Sequence, residues 1–238
     1  MNQSNRIGIM AAMPEELQAL LDRMVDDTPV TLGGRTFWCG QLQGVEVVVV
    51  LSGIGKVAAA ITTTLLLQAF EVNELWFTGV AGGLAPQVQV GDVVVADALV
   101  QHDMDASPLF ARHELPGLGL SHLQAPAALI DEVVGVVAQA QPQPVHRGLV
   151  LSGDQFVASA GQVAELVQRL PGALAVEMEG AAVAQVCHAF DRPCVIVRTI
   201  SDRADEAAPQ DFGRFIAEVA SPRSMAIVMA LLSARSKR

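Results

Sequence analysis

The chain has 238 residues, of which 51% are hydrophobic and 17% are charged, and its formal net charge is −10. A chain of this length and composition can bury the core of one large domain. The negative charge is spread along the sequence and would repel a phosphate backbone, which argues against nucleic acid as a partner.

The hydrophobic stretches are too short or too interrupted for a membrane span. Val57–Phe70 is shorter than a bilayer requires, and Leu75–Gly91 is broken by glycines and by Pro86. Only Ile7–Met13 precedes the acidic start of the first helix, which is too short for the core of a signal peptide. We therefore expect a soluble, cytoplasmic protein with no membrane partner.

The cysteines Cys39, Cys187 and Cys194 are odd in number and form no C-x-x-C pair. Each lies in an apolar stretch, which favours buried, reduced thiols over a catalytic cysteine.

Short runs rich in Val, Ile and Leu alternate with helical patterns along the chain. The runs predict buried strands at Ile7–Met13, Val45–Leu51, Leu75–Thr78, Val93–Ala96, Gly148–Leu151, Leu174–Val176 and Cys194–Ile200. Arg35–Leu42 is predicted to form a hairpin with Val45–Leu51 across Gln43 and Gly44. Helices are predicted from Pro14, at Lys56–Phe70, Pro126–Gln141, Ala160–Leu170 and Met178–Phe190, and from about Pro209.

Strands interleaved with helices predict one α/β domain over residues 1–238. We expect a three-layer sandwich with a central mixed, mostly parallel sheet flanked by helices. The Pro- and Gly-rich stretch Ser107–Pro126 is predicted to be a long loop, and long loops in compact domains are often functional.

In open α/β sheets, ligands bind beyond the carboxyl ends of the strands. Glu16 falls in the first helical turn after the first strand, where it is either a functional carboxylate or a partner of the helix dipole. The glycine-rich turn Thr78–Gly83 would let the backbone at Gly82 approach a ligand closely. Ser52–Lys56 is a related glycine turn but lacks the spacing of a phosphate-binding loop.

Charged residues also interrupt two later strands. Glu177 and Glu179 would share one face if the segment is extended there, and they need either a polar ligand or a structural salt bridge. Arg198 lies inside an apolar strand and therefore needs an acceptor. Asp202, at the end of that strand, is either a functional acid or the cap of the next helix.

His102, Asp103 and Asp105 are an incomplete ligand set for a metal, with no matching His or Cys cluster elsewhere. We therefore predict no metal site and no cofactor.

Seven segments together are similar to the 5′-methylthioadenosine/S-adenosylhomocysteine nucleosidases of the purine nucleoside phosphorylase superfamily. They occur in the family's order over nearly the whole chain. They are GIMAAMPEE (8–16), SGIGKVAAA (52–60), TGVAGGLAP (78–86), VGDVVVAD (90–97), SGDQFV (152–157), AVEMEGAAVA (175–184) and VRTISDRAD (197–205). The combination is specific, although each segment alone is weak.

The resemblance implies an N-glycosyl hydrolase with a nucleoside-phosphorylase-like fold. Glu16 would be the general base that activates water, and Asp202 would be the acid that protonates adenine N7. Met178 and Glu179 would hold the ribose, with Glu179 accepting hydrogen bonds from its hydroxyl groups.

The resemblance also assigns the remaining contacts to the nucleoside. Phe156 would stack on adenine, and the backbone of Val157 would read the purine edge. Ser201 and Arg198 would orient the acid and the water. The pocket for the 5′-thio substituent would be lined by Met13, Ile54 and Phe212.

The chemistry of the reaction agrees with this pair of carboxyl groups. Cleavage of an N-glycosidic bond develops positive charge on the sugar and negative charge on the leaving base. A proton donor at the base and a carboxylate with water at the sugar meet these two demands. Asp202 must then carry a proton when the substrate is bound.

The chain departs from the family's pattern at two places. Val80 stands where many members have serine, which affects how the water or Asp202 is held. The loop after Asp105, residues 106–117, is less aromatic than in many members. In the family this loop helps to complete the pocket of the partner in a homodimer, so the preference for the 5′ group stays open.

Three other functions are compatible with parts of the sequence. A phosphorylase of the same superfamily needs cationic donors beside the sugar, whereas this chain has Glu15 and Glu16 after its first strand. A nucleosidase acting on 6-amino-6-deoxyfutalosine would differ only in its tolerance of the 5′ group. A non-catalytic binding module would need neither Glu16 nor Asp202.

Overall fold

The computed structural model of the protein describes residues 6–11, 13–215 and 221–236. Within these ranges no helix combines the length and the apolar composition that crossing a bilayer requires.

The described residues form one mixed sheet of ten strands. In chain order these are β1 (Ile7–Ala11), β2 (Val25–Leu32), β3 (Arg35–Leu42), β4 (Val45–Leu51), β5 (Glu74–Gly83), β6 (Val93–Gln101), β7 (Leu123–Gln124), β8 (Val145–Ser152), β9 (Ala173–Glu177) and β10 (Cys194–Asp202). Their order in the sheet is β10-β6-β8-β9-β5-β1-β4-β3-β2, with β7 paired to β6.

The sheet closes on itself at one end because β10 pairs with β5 as well as with β6. β5 is long enough to be shared: Glu74–Thr78 pairs with β1, and Gly82 and Gly83 pair with β9. The pairings β1–β4, β1–β5, β5–β10, β6–β8 and β8–β9 are parallel. The carboxyl ends of β5, β8, β9 and β10 are thereby gathered around one space.

Helices cover both faces of the sheet. They are α1 (Pro14–Leu21), α2 (Lys56–Gln68), α3 (Ala127–Ala140), α4 (Ala160–Arg169), α5 (Gly180–Ala189), α6 (Ala208–Phe215) and α7 (Ser221–Arg235). Side chains alternate along each buried strand, so that Val48 and Val50 pack toward α2 and α5, whereas Val47 and Val49 pack toward α1, α3 and α7. The predicted three-layer α/β fold is confirmed.

The elements differ from the sequence prediction at several boundaries. The first strand ends at Ala11, and Met13 is the residue that precedes helix α1 rather than part of the strand. Helix α5 begins at Gly180, two residues later than predicted, because Glu179 occupies its N-cap position. The C-terminal segment contains two helices, α6 and α7, instead of one.

Two strands were not predicted at all. All eight residues of β2 are exposed, so the segment has none of the hydrophobic pattern that identifies a buried strand. The stretch predicted as a loop at Ser107–Pro126 contains the two-residue strand β7 and a single bridge between Leu115 and Leu120.

Candidate active site

A cavity of about 330 Å³ lies at the carboxyl ends of β5, β9 and β10. The turn before α1, the loop before α2, the loop after β8 and helix α6 complete its walls. Its lining consists of Met13, Ile54, Val80, Ala81, Gly82, Gln155, Phe156, Val157, Val176, Glu177, Met178, Glu179, Ser201, Asp202 and Phe212. This position and size are typical of small-molecule sites in α/β proteins.

The cavity brings together all the site residues expected from the sequence except Glu16 and Arg198, which are not part of its described lining. Five lining residues were not among the expected site residues: Val80, Ala81, Gln155, Val176 and Glu177. Each is a direct neighbour in sequence of a glycine turn or of an expected residue, and this adjacency is the signal that could have identified them.

A buried ion pair lies below the cavity floor. Arg198 Nη2 is 2.7 Å from Glu177 Oε2, and its Nε donates to the same oxygen at 3.2 Å. The other guanidinium nitrogen donates to the carbonyl oxygen of Phe77 at 3.2 Å, and the group lies 4.0 Å from the centre of the Phe77 ring. Arg198 is completely buried. Its charged contact is therefore Glu177, which supplies the acceptor that a buried arginine needs.

The Glu177 carboxylate also holds the start of helix α5. It accepts hydrogen bonds from the amides of Gly180, at 2.8 and 2.9 Å, and of Glu179, at 3.2 Å, and from the hydroxyl of Ser152. These amides are among those that a helix leaves without internal partners. The carboxylate thus joins β8, β9, β10 and α5 at one point.

Strand β9 ends at Glu177, so Glu177 and Glu179 are not on one face of an extended segment, and Glu179 has a partner of its own. Its Oε1 accepts a hydrogen bond of 2.8 Å from the amide of Gly55. Burial and the neighbouring charge of Glu177 raise the pKa of Glu179 to about 7. The side chain can therefore act as a hydrogen-bond donor or acceptor toward a hydroxyl group near neutral pH.

Asp202 lies at the end of β10 with both carboxyl oxygens oriented by its neighbours. The Ser201 hydroxyl donates to Oδ2 at 2.7 Å, and the amide of Ala204 donates to Oδ1 at 2.8 Å. Only glycine fits opposite this group, because a Cβ at position 82 would lie 3.0 Å from Asp202 Oδ1 and 2.9 Å from Ala204 Cβ. The segment Thr78–Gly83, predicted as a turn, is instead the end of β5, and Gly82 within it permits close approach to the carboxyl group of Asp202.

Glu16 is completely buried in the first turn of α1. Its Oε2 accepts a hydrogen bond of 3.1 Å from the amide of Met13, and its Oε1 accepts one from the hydroxyl of Ser224 in α7. Since Met13 lines the cavity, Glu16 lies behind that wall and is linked to it through a backbone hydrogen bond.

One side of the cavity is apolar. Met13, Val80 and Phe212 pack against the buried Phe215, and the rings of Phe156 and Phe212 meet edge to face with centroids 5.7 Å apart. This wall favours an uncharged, hydrophobic substituent.

Two of the three residues considered for a metal site have other partners. Asp103 pairs with Lys56, and Asp105 pairs with Arg112. In the part of the chain that the structure describes, no group of three or more His, Cys, Asp or Glu side chains is arranged to hold a metal ion.

Replacing Glu177 with glutamine should lower the free energy of unfolding by about 3–5 kcal/mol, because Arg198 is left buried without its counter-charge. Urea unfolding measures this change. Asp131→Asn is the control, since Asp131 forms an ion pair with Arg147 but its side chain is 68% exposed; its loss should cost less than about 1 kcal/mol. Equal effects of the two substitutions would contradict the importance given to the buried pair.

The free energy of unfolding of the wild type should fall as the pH rises, whereas that of Glu179→Gln should not. The variant should therefore gain stability relative to the wild type with increasing pH. The folded protein keeps this carboxyl protonated up to about pH 7, whereas the unfolded chain ionises near its ordinary value of 4.5. The wild type therefore loses stability between these pH values, on the order of 3 kcal/mol in total, and the glutamine variant does not. Urea unfolding from pH 4 to pH 8 tests this; a pH-independent difference would refute it.

The chain matches the family model of the phosphorylase superfamily over residues 6–233. It is 34% identical to the 5′-methylthioadenosine/S-adenosylhomocysteine nucleosidase of Neisseria meningitidis, solved with methylthio-immucillin-A, at a TM-score of 0.92 with 97% of this chain and 99% of that chain covered. It is 36% identical to the S-adenosylhomocysteine nucleosidase of Streptococcus pyogenes, solved with 5-methylthiotubericidin, at a TM-score of 0.91 with 98% of each chain covered. The futalosine hydrolase of Helicobacter pylori is 35% identical, at a TM-score of 0.89 with both chains fully covered.

A match of this extent, at this level of identity, establishes common ancestry and a common fold. The chain therefore belongs to the phosphorylase superfamily and, within it, to the family of the 5′-methylthioadenosine/S-adenosylhomocysteine nucleosidases.

Proposed function

We propose that this chain, acting as a single domain, hydrolyses the N-glycosidic bond of 5′-methylthioadenosine and S-adenosylhomocysteine to adenine and the 5-thio-substituted ribose. The observation that carries the proposal is the composition of the cavity lining. Its described residues include Glu177, Glu179 and Asp202 and no Lys or Arg. Such a lining offers no cationic side chain to bind phosphate, which favours water as the nucleophile.

The nucleoside would bind with its base toward Phe156 and Val157. Phe156 is accessible at the cavity and would stack on adenine, while the Val157 backbone would read the purine edge. Met178 and Glu179 would contact the ribose, and Glu179 is suited to its hydroxyl groups because it can donate or accept a proton near neutrality. Met13, Ile54 and Phe212 would line the pocket of the 5′-thio group, where the wall is apolar.

Asp202 would act as the general acid. As the bond between C1′ and N9 breaks, its electron pair moves onto adenine, and Asp202 delivers a proton to N7. The hydrogen bonds from Ser201 and Ala204 would keep the carboxyl group in one orientation for this transfer. Gly82 would let the base approach it closely.

Glu16 would act as the general base. The water oxygen bonds to C1′, and Glu16 takes the proton that the water loses. The Glu16 carboxylate lies behind Met13. The attacking water would therefore bind at the Met13 turn, between the sugar and this carboxylate. Arg198 would act on this site through Glu177, which it holds at the floor of the cavity.

The reaction leaves the sulfur atom on the released sugar, and we propose that this places the enzyme in methionine salvage. We also propose that it acts in the cytoplasm, which is compatible with the free thiols of Cys39, Cys187 and Cys194.

We further propose that the enzyme is a homodimer. A stripe of exposed apolar side chains runs from the loop before α2 into that helix, with exposed fractions of 70% for Ile54, 71% for Val57 and 44% for Ile61. Leu109, which is 84% exposed, and Phe110 lie in the loop that completes the partner's pocket in the family. Exposed apolar side chains of this number and size are typical of an interface between copies.

Release of adenine from methylthioadenosine in phosphate-free buffer tests the reaction. Hydrolysis predicts release without phosphate, whereas a phosphorylase needs phosphate and forms a sugar 1-phosphate. Glu16→Gln and Asp202→Asn should each lower kcat at least about 100-fold with the fold retained. Full activity of either variant would remove that residue from its role.

Binding of the nucleoside without any release of adenine would identify a non-catalytic module. Comparing kcat/KM for S-adenosylhomocysteine, 5′-deoxyadenosine and 6-amino-6-deoxyfutalosine would rank the 5′ groups.

Val57→Asp should convert the dimer to a monomer in light scattering, because it places a charge in the apolar stripe. The monomer should also lose activity, since the partner's loop would then be absent from the pocket. Val167→Asp is the control, since Val167 is likewise exposed but lies on α4. A wild type that is monomeric at micromolar concentration would refute the dimer.

A further inference from the structure

Helix α2 begins at the edge of the cavity without a side-chain cap of its own. Its N-cap residue is Gly55, and its first turn contains no acidic residue. Two carboxylates from distant parts of the chain accept hydrogen bonds from its first amides instead. Glu179 accepts from the amide of Gly55 at 2.8 Å, and Asp154 accepts from the amide of Lys56 at 2.7 Å. The positive end of the helix thus holds two segments of the cavity wall.

Lys56, Asp103 and Asp154 form a closed set of contacts, which we call the Lys56–Asp103–Asp154 triangle. The Lys56 ammonium lies 2.6 Å from Asp103 Oδ1. The second oxygen of Asp103 accepts a hydrogen bond of 2.9 Å from the amide of Asp154. The Asp154 carboxylate in turn accepts a hydrogen bond from the amide of Lys56. Lys56 also donates to Gln101 at 3.0 Å. Each member therefore restrains the other two.

The triangle is attached directly to the segment that lines the base end of the cavity. Asp154 precedes Gln155, Phe156 and Val157, all of which line the cavity. The neighbouring Gly153 donates its amide to the carbonyl oxygen of Glu177 at 3.1 Å. Asp154 is thus the point at which the segment is fixed from its outer side.

Two glycines beside these contacts leave room for neighbouring side chains. A Cβ at position 55 would lie 2.9 Å from Asp154 Oδ1, and the φ of Gly55 is +88°. A Cβ at position 153 would lie 2.2 Å from His102 Nε2. Gly55 therefore leaves room for the carboxylate of Asp154 at the helix end, and Gly153 leaves room for the ring of His102.

We propose that the Lys56–Asp103–Asp154 triangle positions the Phe156–Val157 segment for binding of the adenine base. It does so from outside the cavity, so its members are positioning residues and not catalytic ones. Because Gly55 and Lys56 are adjacent, the same helix end also fixes Glu179 on the ribose side. The segment that contacts the base and the residue that contacts the sugar are therefore held at a fixed distance from each other. This inference rests on the proposed function.

Asp154→Ala removes the acceptor, whereas Asp154→Asn keeps an oxygen in the same place. For Asp154→Ala we expect KM for methylthioadenosine and Kd for adenine, measured by calorimetry, to rise about tenfold, the equivalent of about 1.4 kcal/mol. We expect kcat to change less than about threefold, because the acid and the base are untouched. Asp154→Asn should restore binding to within about threefold of the wild type. Asp131→Ala, on the exposed face of α3, is the matched control and should change neither constant.

A second measurement separates positioning from general loss of structure. Inhibition by 5-methylthioribose should be unchanged in Asp154→Ala, since that product lacks the base. An unchanged adenine Kd, an equal loss of affinity for both products, or dissociation of the oligomer together with the loss would each overturn the inference. If the wild type binds adenine but does not release it from nucleosides, the proposed function fails while the adenine Kd of the variants still decides the positioning role. A wild type that does not bind adenine overturns both.

Discussion

The architecture of the site depends on the buried ion pair between Glu177 and Arg198. One carboxylate neutralises a guanidinium that has no access to water, and it also satisfies the first amides of α5 and the hydroxyl of Ser152. A buried charge is tolerated only when such a set of partners is complete. Three strands and a helix are therefore held in a single relative position, and the cavity floor is built on that position.

The pair also explains why two acidic side chains that are adjacent in the cavity behave differently. Glu177 is paired with the nearby Arg198 cation. For Glu179, burial and the charge of Glu177 disfavour the ionised form and raise its pKa. The result is a wall with one carboxylate held in an ion pair and one carboxyl group whose pKa is about 7. Such a wall suits an uncharged ligand with several hydroxyl groups better than it suits an anion.

The sequence predicted the elements in which buried residues repeat regularly, because burial on both faces is visible in runs such as Val45–Leu51. It also predicted most of the cavity lining, because the glycine turn and the acidic residues stand at strand ends. It did not predict that β5 is shared by β1, β9 and β10, since closure of the sheet depends on pairing between distant segments. The role of Asp154 was equally invisible, because it caps a helix that begins 98 residues earlier.

The outer edge of the sheet has a consequence for solubility. β2 pairs on one side with β3, and its other side is a row of backbone groups on which a further strand could be added. Asp26 and Asp27 bring negative charge to this edge, Pro29 offers no amide proton, and the register shifts between Val25 and Thr28. These are the means by which natural sheets discourage aggregation. The residues of β2, which lack a hydrophobic pattern, thus disfavour the addition of a strand from another molecule at this edge.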